Sequence, residues 1–230
     1  HLLPTAPCHL LGSCVRLAPL GAGGMGEVLK PRDTLLARIV ALKILPDAFA
    51  RAPDRRTRLM REAQMLSQLN HPHICTLHDS GSENSIDYLL MEYVEGHSLA
   101  DRLTKGPLPP AEVIRIGTEI GEALHCAHKQ RIVHRDLKPG NIMLTKSGVK
   151  LLDFGLARSI DPGDDSLTAD GAVIGTPRYM APEQTEPRPS DDRTDIFALG
   201  AGPEAASPGT PRRGGLQEGR AAGRAHGGQA

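Results

Sequence analysis

The apolar residues of this chain change their period once, and that change limits the folds open to it. From about Val15 to Tyr93 short apolar runs alternate with turns, as in Arg38 to Leu45 and Ile86 to Tyr93, which is the pattern of strands whose side chains point to opposite faces in turn. One helical stretch interrupts them. From about Pro53 to Leu69, the residues Leu59, Glu62, Ala63 and Leu66 recur at three- and four-residue steps. A longer helix from about Pro110 to Gln130 carries Val113, Ile116, Ile120, Leu124 and Ala127 on one face. Strand-like runs Asn141 to Thr145 and Val149 to Leu152 follow, about a Lys146-Ser147-Gly148 turn. The expectation is an α+β chain of two lobes, a small sheet with one helix and then a mainly helical unit. With 230 residues and 39% hydrophobic content, the chain is long enough to bury both.

Composition removes several function classes. Lys+Arg and Asp+Glu both number 27, so no net field argues for nucleic acid or a membrane surface as partner. The four cysteines form no C-x-x-C pair, which fits a reducing, cytoplasmic compartment. No apolar run approaches the roughly 18 residues of a membrane span. His125 and His128 stand three apart on the long helix, but with no third ligand in view packing and hydrogen bonding are the expectation, not a metal. Leu10 to Cys14 superficially resembles a lipoprotein cleavage site, yet no basic region precedes it and Pro4 and Pro7 break the apolar stretch.

The two ends read differently from the middle. The chain starts at His1 rather than Met, so residues 1–14 are expected to be an extension on a fragment. Residues 201–230 are mostly Gly, Ala, Pro and Arg, with a single Leu and no other large apolar residue, too little apolar surface to offset ordering entropy. Disorder is expected there, with a frameshift or truncation as the leading explanation and a genuine Arg-rich tail as the alternative. Loss of the helix after Gly200 is expected to leave Val113, Ile120 and Leu124 partly uncovered.

Four motifs carry chemistry. Gly21-Ala22-Gly23-Gly24-Met25-Gly26-Glu27-Val28 fits G-x-G-x-x-G-x-V, in which backbone amides approach phosphates without a Cβ in the way. Dinucleotide-binding folds share the spacing, but a helix follows there, whereas strand-like Val28-Leu29 and Ile39 to Leu45 follow here. Lys43 shares a strand face with Ala41 and Leu45, and an ammonium there needs an anion. Glu62, on the apolar face of the first helix, is the expected partner, the pair aiming Lys43 at the α- and β-phosphates of a nucleotide. His134-Arg135-Asp136-Leu137-Lys138-Pro139-Gly140-Asn141 is the most specific string. Asp136 suits a proton acceptor for a substrate hydroxyl, Lys138 suits neutralising charge on a transferred phosphoryl, and Asn141 offers a neutral oxygen to a hard cation. Asp153-Phe154-Gly155 adds a carboxylate fit for Mg²⁺.

Taken in order, Gly21 to Val28, Lys43, Glu62, His134 to Asn141, Asp153 to Gly155 and Ala181-Pro182-Glu183 resemble the signatures of protein kinases, most nearly the bacterial eukaryotic-like serine/threonine kinases. The resemblance runs from about Val15 to Gly200. It implies a two-lobed protein-kinase fold, with an N-lobe and hinge over 15–94 and a partial C-lobe over 95–200, and ATP and Mg²⁺ as cofactors. It implies that Leu20, Gly21, Gly23, Gly24, Gly26, Val28, Ala41, Lys43 and Met143 line the nucleotide, with Met91 as gatekeeper and Glu92 and Val94 giving adenine its backbone hydrogen bonds. Asn141 and Asp153 become the metal ligands. Leu66, Leu77, His134 and Phe154 match a hydrophobic spine anchored by Asp195.

Lys138-Pro139 and Gly175-Thr176-Pro177 resemble serine/threonine rather than tyrosine specificity, so the implied partners are proteins bearing Ser or Thr. Arg135 beside Asp136 implies a docking point for an activation-segment phosphate, with Thr168 and Ser166 as candidates, and a dimer for autophosphorylation. Membrane anchoring through another segment of a parent protein is a further family feature. The alternative is an inactive truncated fragment or a nucleotide-binding pseudokinase. Departures from the pattern are Gly140 before the loop asparagine, Arg131 where glycine is common, Pro31 in the second strand and Phe197 for a usual tryptophan. The arginine that in the family pairs with the residue matching Glu183 is absent.

Overall fold

The computed structural model of the chain describes residues 10–11, 14–23, 26–34, 36–45, 53–83, 86–154, 179–185 and 190–206. Strands β1 (Leu10–Leu11), β2 (Cys14–Gly23), β3 (Gly26–Asp33), β4 (Arg38–Ile44), β5 (Leu77–Glu83) and β6 (Ile86–Glu92) form one sheet in the order β1-β2-β3-β4-β6-β5. Every pairing in it is antiparallel. Helix α1 (Pro53–Leu66) lies between β4 and β5 in sequence and buries Leu59, Ala63 and Leu66, the stripe its periodicity indicates. Pro31 sits within β3, where the β3–β4 ladder runs Leu29↔Leu42 then Arg32↔Ile39 and skips the proline that has no N–H to give.

The second lobe opens with β7 (His97–Ser98) and α2 (Leu99–Thr104), joined by a capping box. Ser98 Oγ accepts from the Asp101 N–H, and the Asp101 carboxylate accepts from Ser98 N–H. Helix α3 (Pro110–Lys129) starts with proline in its first turn, where a missing N–H costs nothing. A 3₁₀ turn (Pro139–Asn141) leads into β8 (Ile142–Thr145) and β9 (Gly148–Leu151), which with β7 make a small antiparallel sheet. The short helix α4 (Pro182–Thr185) and helix α5 (Asp192–Ala206) complete the described residues.

One core joins the lobes. Leu59, Leu77 and Leu89 from the first belong to the same buried cluster as Ile116, Ile120, Leu124, Leu151 and Phe154 from the second. Full burial of each such side chain contributes about 1.5–3 kcal/mol. The expected exposure of the α3 stripe is corrected here: Ile120 and Leu124 are 3% and 1% exposed, and only Val113 is half-buried. Ala198 and Leu199 from the first turns of α5, with Leu137 and Ile142, join that cluster and cover it. Exposed apolar side chains near this contact include Ile114 on α3 and Ile196 and Phe197 on α5, 69%, 56% and 47% exposed. Helix α5 also runs past the expected break at Gly200 to Ala206. Residues 207–230 and 1–9 lie outside the described residues.

Candidate active site

The glycine-rich segment forms the end of the β2–β3 hairpin, with Gly23 opposite Gly26 and Gly21 opposite Val28. Strands therefore flank it on both sides, as expected for a phosphate-covering loop and not for a dinucleotide fold. Leu20 lies in β2, and Gly24 lies outside the described residues. In the next strand Lys43 pairs with Val28 on one side and Leu89 on the other. It is 7% exposed and shares its strand face with buried Ala41 and Leu45.

The ion pairs differ from expectation. Lys43 Nζ lies 2.8 Å from Asp153 Oδ1, and Arg135 Nη1 lies 3.5 Å from Glu62 Oε1. Among the described residues, the cation paired with Glu62 is Arg135, and Lys43 is held by Asp153 rather than Glu62. Both carboxylates meet a cation, so the need that periodicity indicated at Glu62 is met, but by the other partner. Asp153 itself has φ 48°, a left-handed conformation for a non-glycine residue.

The loop from His134 to Asn141 is held from beneath by one buried carboxylate. Asp195, 1% exposed on α5, accepts the His134 N–H at Oδ2 and the Arg135 N–H at Oδ1, both at 2.8 Å. His128 Nε2 is also 2.8 Å from Asp195 Oδ2, which gives this α3 histidine a hydrogen-bonding task, as expected. His134 is fully buried; its Nε2 donates to the Leu152 carbonyl at 2.9 Å and its ring sits 4.6 Å from that of Phe154. Burial pushes the His134 imidazole below its usual pKa, against the opposing pull of Asp195 and Asp136.

On this support Asp136, Lys138 and Asn141 converge. Asp136, 8% exposed, takes Lys138 Nζ at 2.8 Å and Asn141 Nδ2 at 2.9 Å, both on Oδ2. Asn141 Nδ2 also reaches the Asp136 carbonyl at 2.8 Å. The Asn141 amide thus spends its N–H groups on Asp136 and turns its oxygen elsewhere. Its backbone carbonyl accepts the Leu152 N–H at 2.9 Å, tying it to the residue before Asp153.

At the expected hinge, Met91 packs against the core and Val94 is half-buried. The Glu92 carboxylate accepts Lys150 Nζ at 2.7 Å and the Thr76 N–H at 3.2 Å. The Glu92 backbone is engaged as well, N–H to Thr76 at 2.9 Å and carbonyl from Cys75 Sγ at 3.6 Å. Burial, with Glu92 beside it, raises the Cys75 thiol to about 12. Met143 lies in β8 opposite Lys150. Sequence reasoning missed Lys150, Gln184 and Thr194. Gln184 links Ala181 to Arg135 through its amide, and Thr194 donates to Glu183 at 2.6 Å. Gly155, Ser166, Thr168 and Thr176 lie outside the described residues.

Comparison with known proteins follows the same lines. The family described as the protein kinase domain matches residues 14–202. The serine/threonine-protein kinase PknB of Mycolicibacterium smegmatis is 42% identical over 202 residues, covering 85% of this chain and 32% of that protein. The probable serine/threonine-protein kinase PknB of Corynebacterium glutamicum is 42% identical over 189 residues, covering 80% of this chain and 29% of that protein. The chain therefore spans about a third of the length of these curated relatives. The crystal structure of the Mycobacterium tuberculosis PknI kinase domain superposes with a TM-score of 0.68 at 32% identity, over 86% of this chain and 74% of that one.

Proposed function

This chain belongs to the protein kinase domain family, and we propose that it transfers the γ-phosphoryl group of ATP to serine or threonine hydroxyls of proteins. The observation that carries the reading is the convergence of Lys138 and Asn141 on the buried Asp136 carboxylate. Asp136 accepts the proton of the attacking hydroxyl, and Lys138, already at that carboxylate, neutralises charge as the phosphoryl moves. Lys43 orients the α- and β-phosphates beneath the glycine hairpin, and the backbone at Glu92 and Val94 receives adenine. Val28, Ala41, Met91 and Met143 close round the ring.

The donor set suits Mg²⁺: a carboxylate at Asp153 and the amide oxygen of Asn141, both hard oxygens linked through Leu152. When bound, Mg²⁺ would supply neutralisation of phosphate charge, held by Asp153 and Asn141. Asp153 Oδ1 is taken by Lys43 and Glu62 by Arg135, a pairing that supports a resting arrangement. A phosphate on Thr168 or Ser166 would draw Arg135 from Glu62, leaving Lys43 to be shared between Glu62 and Asp153. Among the described residues no helix is long and apolar enough to cross a membrane, and cytoplasmic action on protein partners, in a dimer for autophosphorylation, completes the reading.

The test is Mg-ATP-dependent labelling of a generic serine/threonine substrate by the chain, with Asp136→Asn as control. Nucleotide binding without transfer in the wild-type chain, phosphorylated or not, favours the pseudokinase or inactive-fragment alternative instead.

A further inference from the structure

Arg135 adopts φ 62°, a left-handed conformation that a non-glycine residue keeps only when its surroundings hold it there. The peptide units on either side of it are pinned at three places. The Arg135 N–H meets Asp195 Oδ1 at 2.8 Å, the Asp136 N–H meets the His134 carbonyl at 2.8 Å, and the Arg135 carbonyl accepts Gln184 Nε2 at 2.7 Å. The first two anchors come from α5 and from the loop itself. Gln184 alone comes from the Ala181–Thr185 segment. Its other end is also used, since Gln184 Oε1 accepts the Ala181 N–H at 3.0 Å. A single side-chain amide therefore joins the Ala181-Pro182-Glu183 segment to the peptide bond that leads into Asp136.

We propose that Gln184 is a positioning residue for phosphoryl transfer: its amide makes the orientation of the Asp136 carboxylate depend on seating of the Ala181–Thr185 turn. This rests on the kinase reading, in which Asp136 takes the substrate proton. The turn is held in place in turn by Glu183, which accepts from the buried Thr194 hydroxyl one residue before Asp195. The segment and the loop are thus fastened to adjacent residues of α5, Thr194 and Asp195, and Gln184 closes the triangle between them. Loss of its N–H donor frees the Arg135–Asp136 peptide to rotate, while Asp195 continues to hold the loop's start.

Two variants separate this from general support of the fold. Gln184→Glu keeps an acceptor for the Ala181 N–H and loses the donor to Arg135; Gln184→Ala loses both. Amide hydrogen exchange on the full chain is expected to quicken by about tenfold over His134–Leu137 in both, the size of one net hydrogen bond, with α3 unchanged. The transfer rate falls about tenfold, with KM for ATP within about twofold, because no nucleotide contact is lost. Loop exchange at the wild-type rate in Gln184→Glu overturns the proposal, as does equal acceleration in the loop and α3. A wild-type chain that transfers no phosphoryl group counts against the kinase reading, while the exchange comparison still decides whether Gln184 holds the loop.

Discussion

The Lys43 ammonium meets the Asp153 carboxylate at 2.8 Å across 110 residues of sequence, with the lysine side chain 9% exposed and the aspartate 27%. A partly wet carboxylate tolerates loss of its cation better than a buried one. Lys43→Met is therefore expected to cost about 1 kcal/mol of stability or less, a fall of roughly 2–4 °C in melting temperature for a chain of this size. Stabilisation by Mg-ATP should drop far more, since the substitution removes the phosphate-orienting charge. Thermal melts with and without Mg-ATP decide it: a full nucleotide-induced shift in Lys43→Met would show that Lys43 does not touch phosphate.

Asp136→Asn tests the centre of the site while preserving its shape. The amide keeps an oxygen for Lys138 and Asn141, so the loop should stay folded and bind nucleotide as before. Without a proton acceptor, transfer to a serine/threonine peptide is expected to slow by about 10²–10⁴. A rate near that of wild type would remove Asp136 from the role assigned here.

These two tests fall on residues that were legible in the sequence, because Asp136, Lys138 and Asn141 lie within one turn of chain and local spacing alone brings them together. The partners of Lys43 and Glu62 were not legible in that way. Periodicity indicates that Glu62 faces inward, but two cations and two carboxylates, Lys43 and Arg135 with Glu62 and Asp153, are sorted only when the two lobes meet. His128 was legible as a hydrogen-bonding residue, and the structure supplies its partner in Asp195. Gln184 and Thr194 left no signal, since an amide or a hydroxyl in a polar turn fits solvent as well as it fits the backbone of a distant loop.

His134 gives a pH dependence with a defined sign. Its neutral ring donates from Nε2 to Leu152 and accepts at Nδ1 from the Asp136 N–H at 3.3 Å, so a second proton would break the latter bond. The folded pKa lies below the ordinary value of 6.5, which means that below pH 6.5 the unfolded chain takes up a proton that the folded chain refuses. Stability present above that pH is lost as pH falls, by up to about 1.4 kcal/mol per pH unit for this one group. Burial lowers His71 and His78 as well, adding in the same direction. Denaturant melts between pH 7.5 and 5 should show the fall, and His134→Asn should flatten it. An equal slope in that variant would assign the effect elsewhere.

The Arg135–Glu62 pair predicts how activation-segment phosphate should act on nucleotide binding. At 3.5 Å, with side chains 30% and 24% exposed, it is a screened contact worth about 1 kcal/mol or less. A phosphate carrying nearly two charges and three acceptor oxygens makes stronger, charge-assisted bonds to a guanidinium, so phosphorylated Thr168 should capture Arg135. Capture of Arg135 takes one cation from Glu62, and Lys43, the other cation of this quartet, can then be shared between Glu62 and Asp153. Each step favours Mg-ATP: Lys43 is aimed at phosphate, and the Asp153 carboxylate is partly opened to the metal. Phosphorylated chain is therefore expected to bind Mg-ATP up to about fivefold more tightly than unphosphorylated chain, the gain corresponding to about one such ion pair exchanged. Arg135→Ala should abolish that difference, since it removes the group through which the phosphate acts, and Thr168→Ala should abolish the modification. Calorimetric titration of the four species with Mg-ATP measures it directly. A phosphorylation-dependent gain that survives in Arg135→Ala would show that the exchange of partners between Glu62, Arg135, Lys43 and Asp153 is not how the signal reaches the nucleotide.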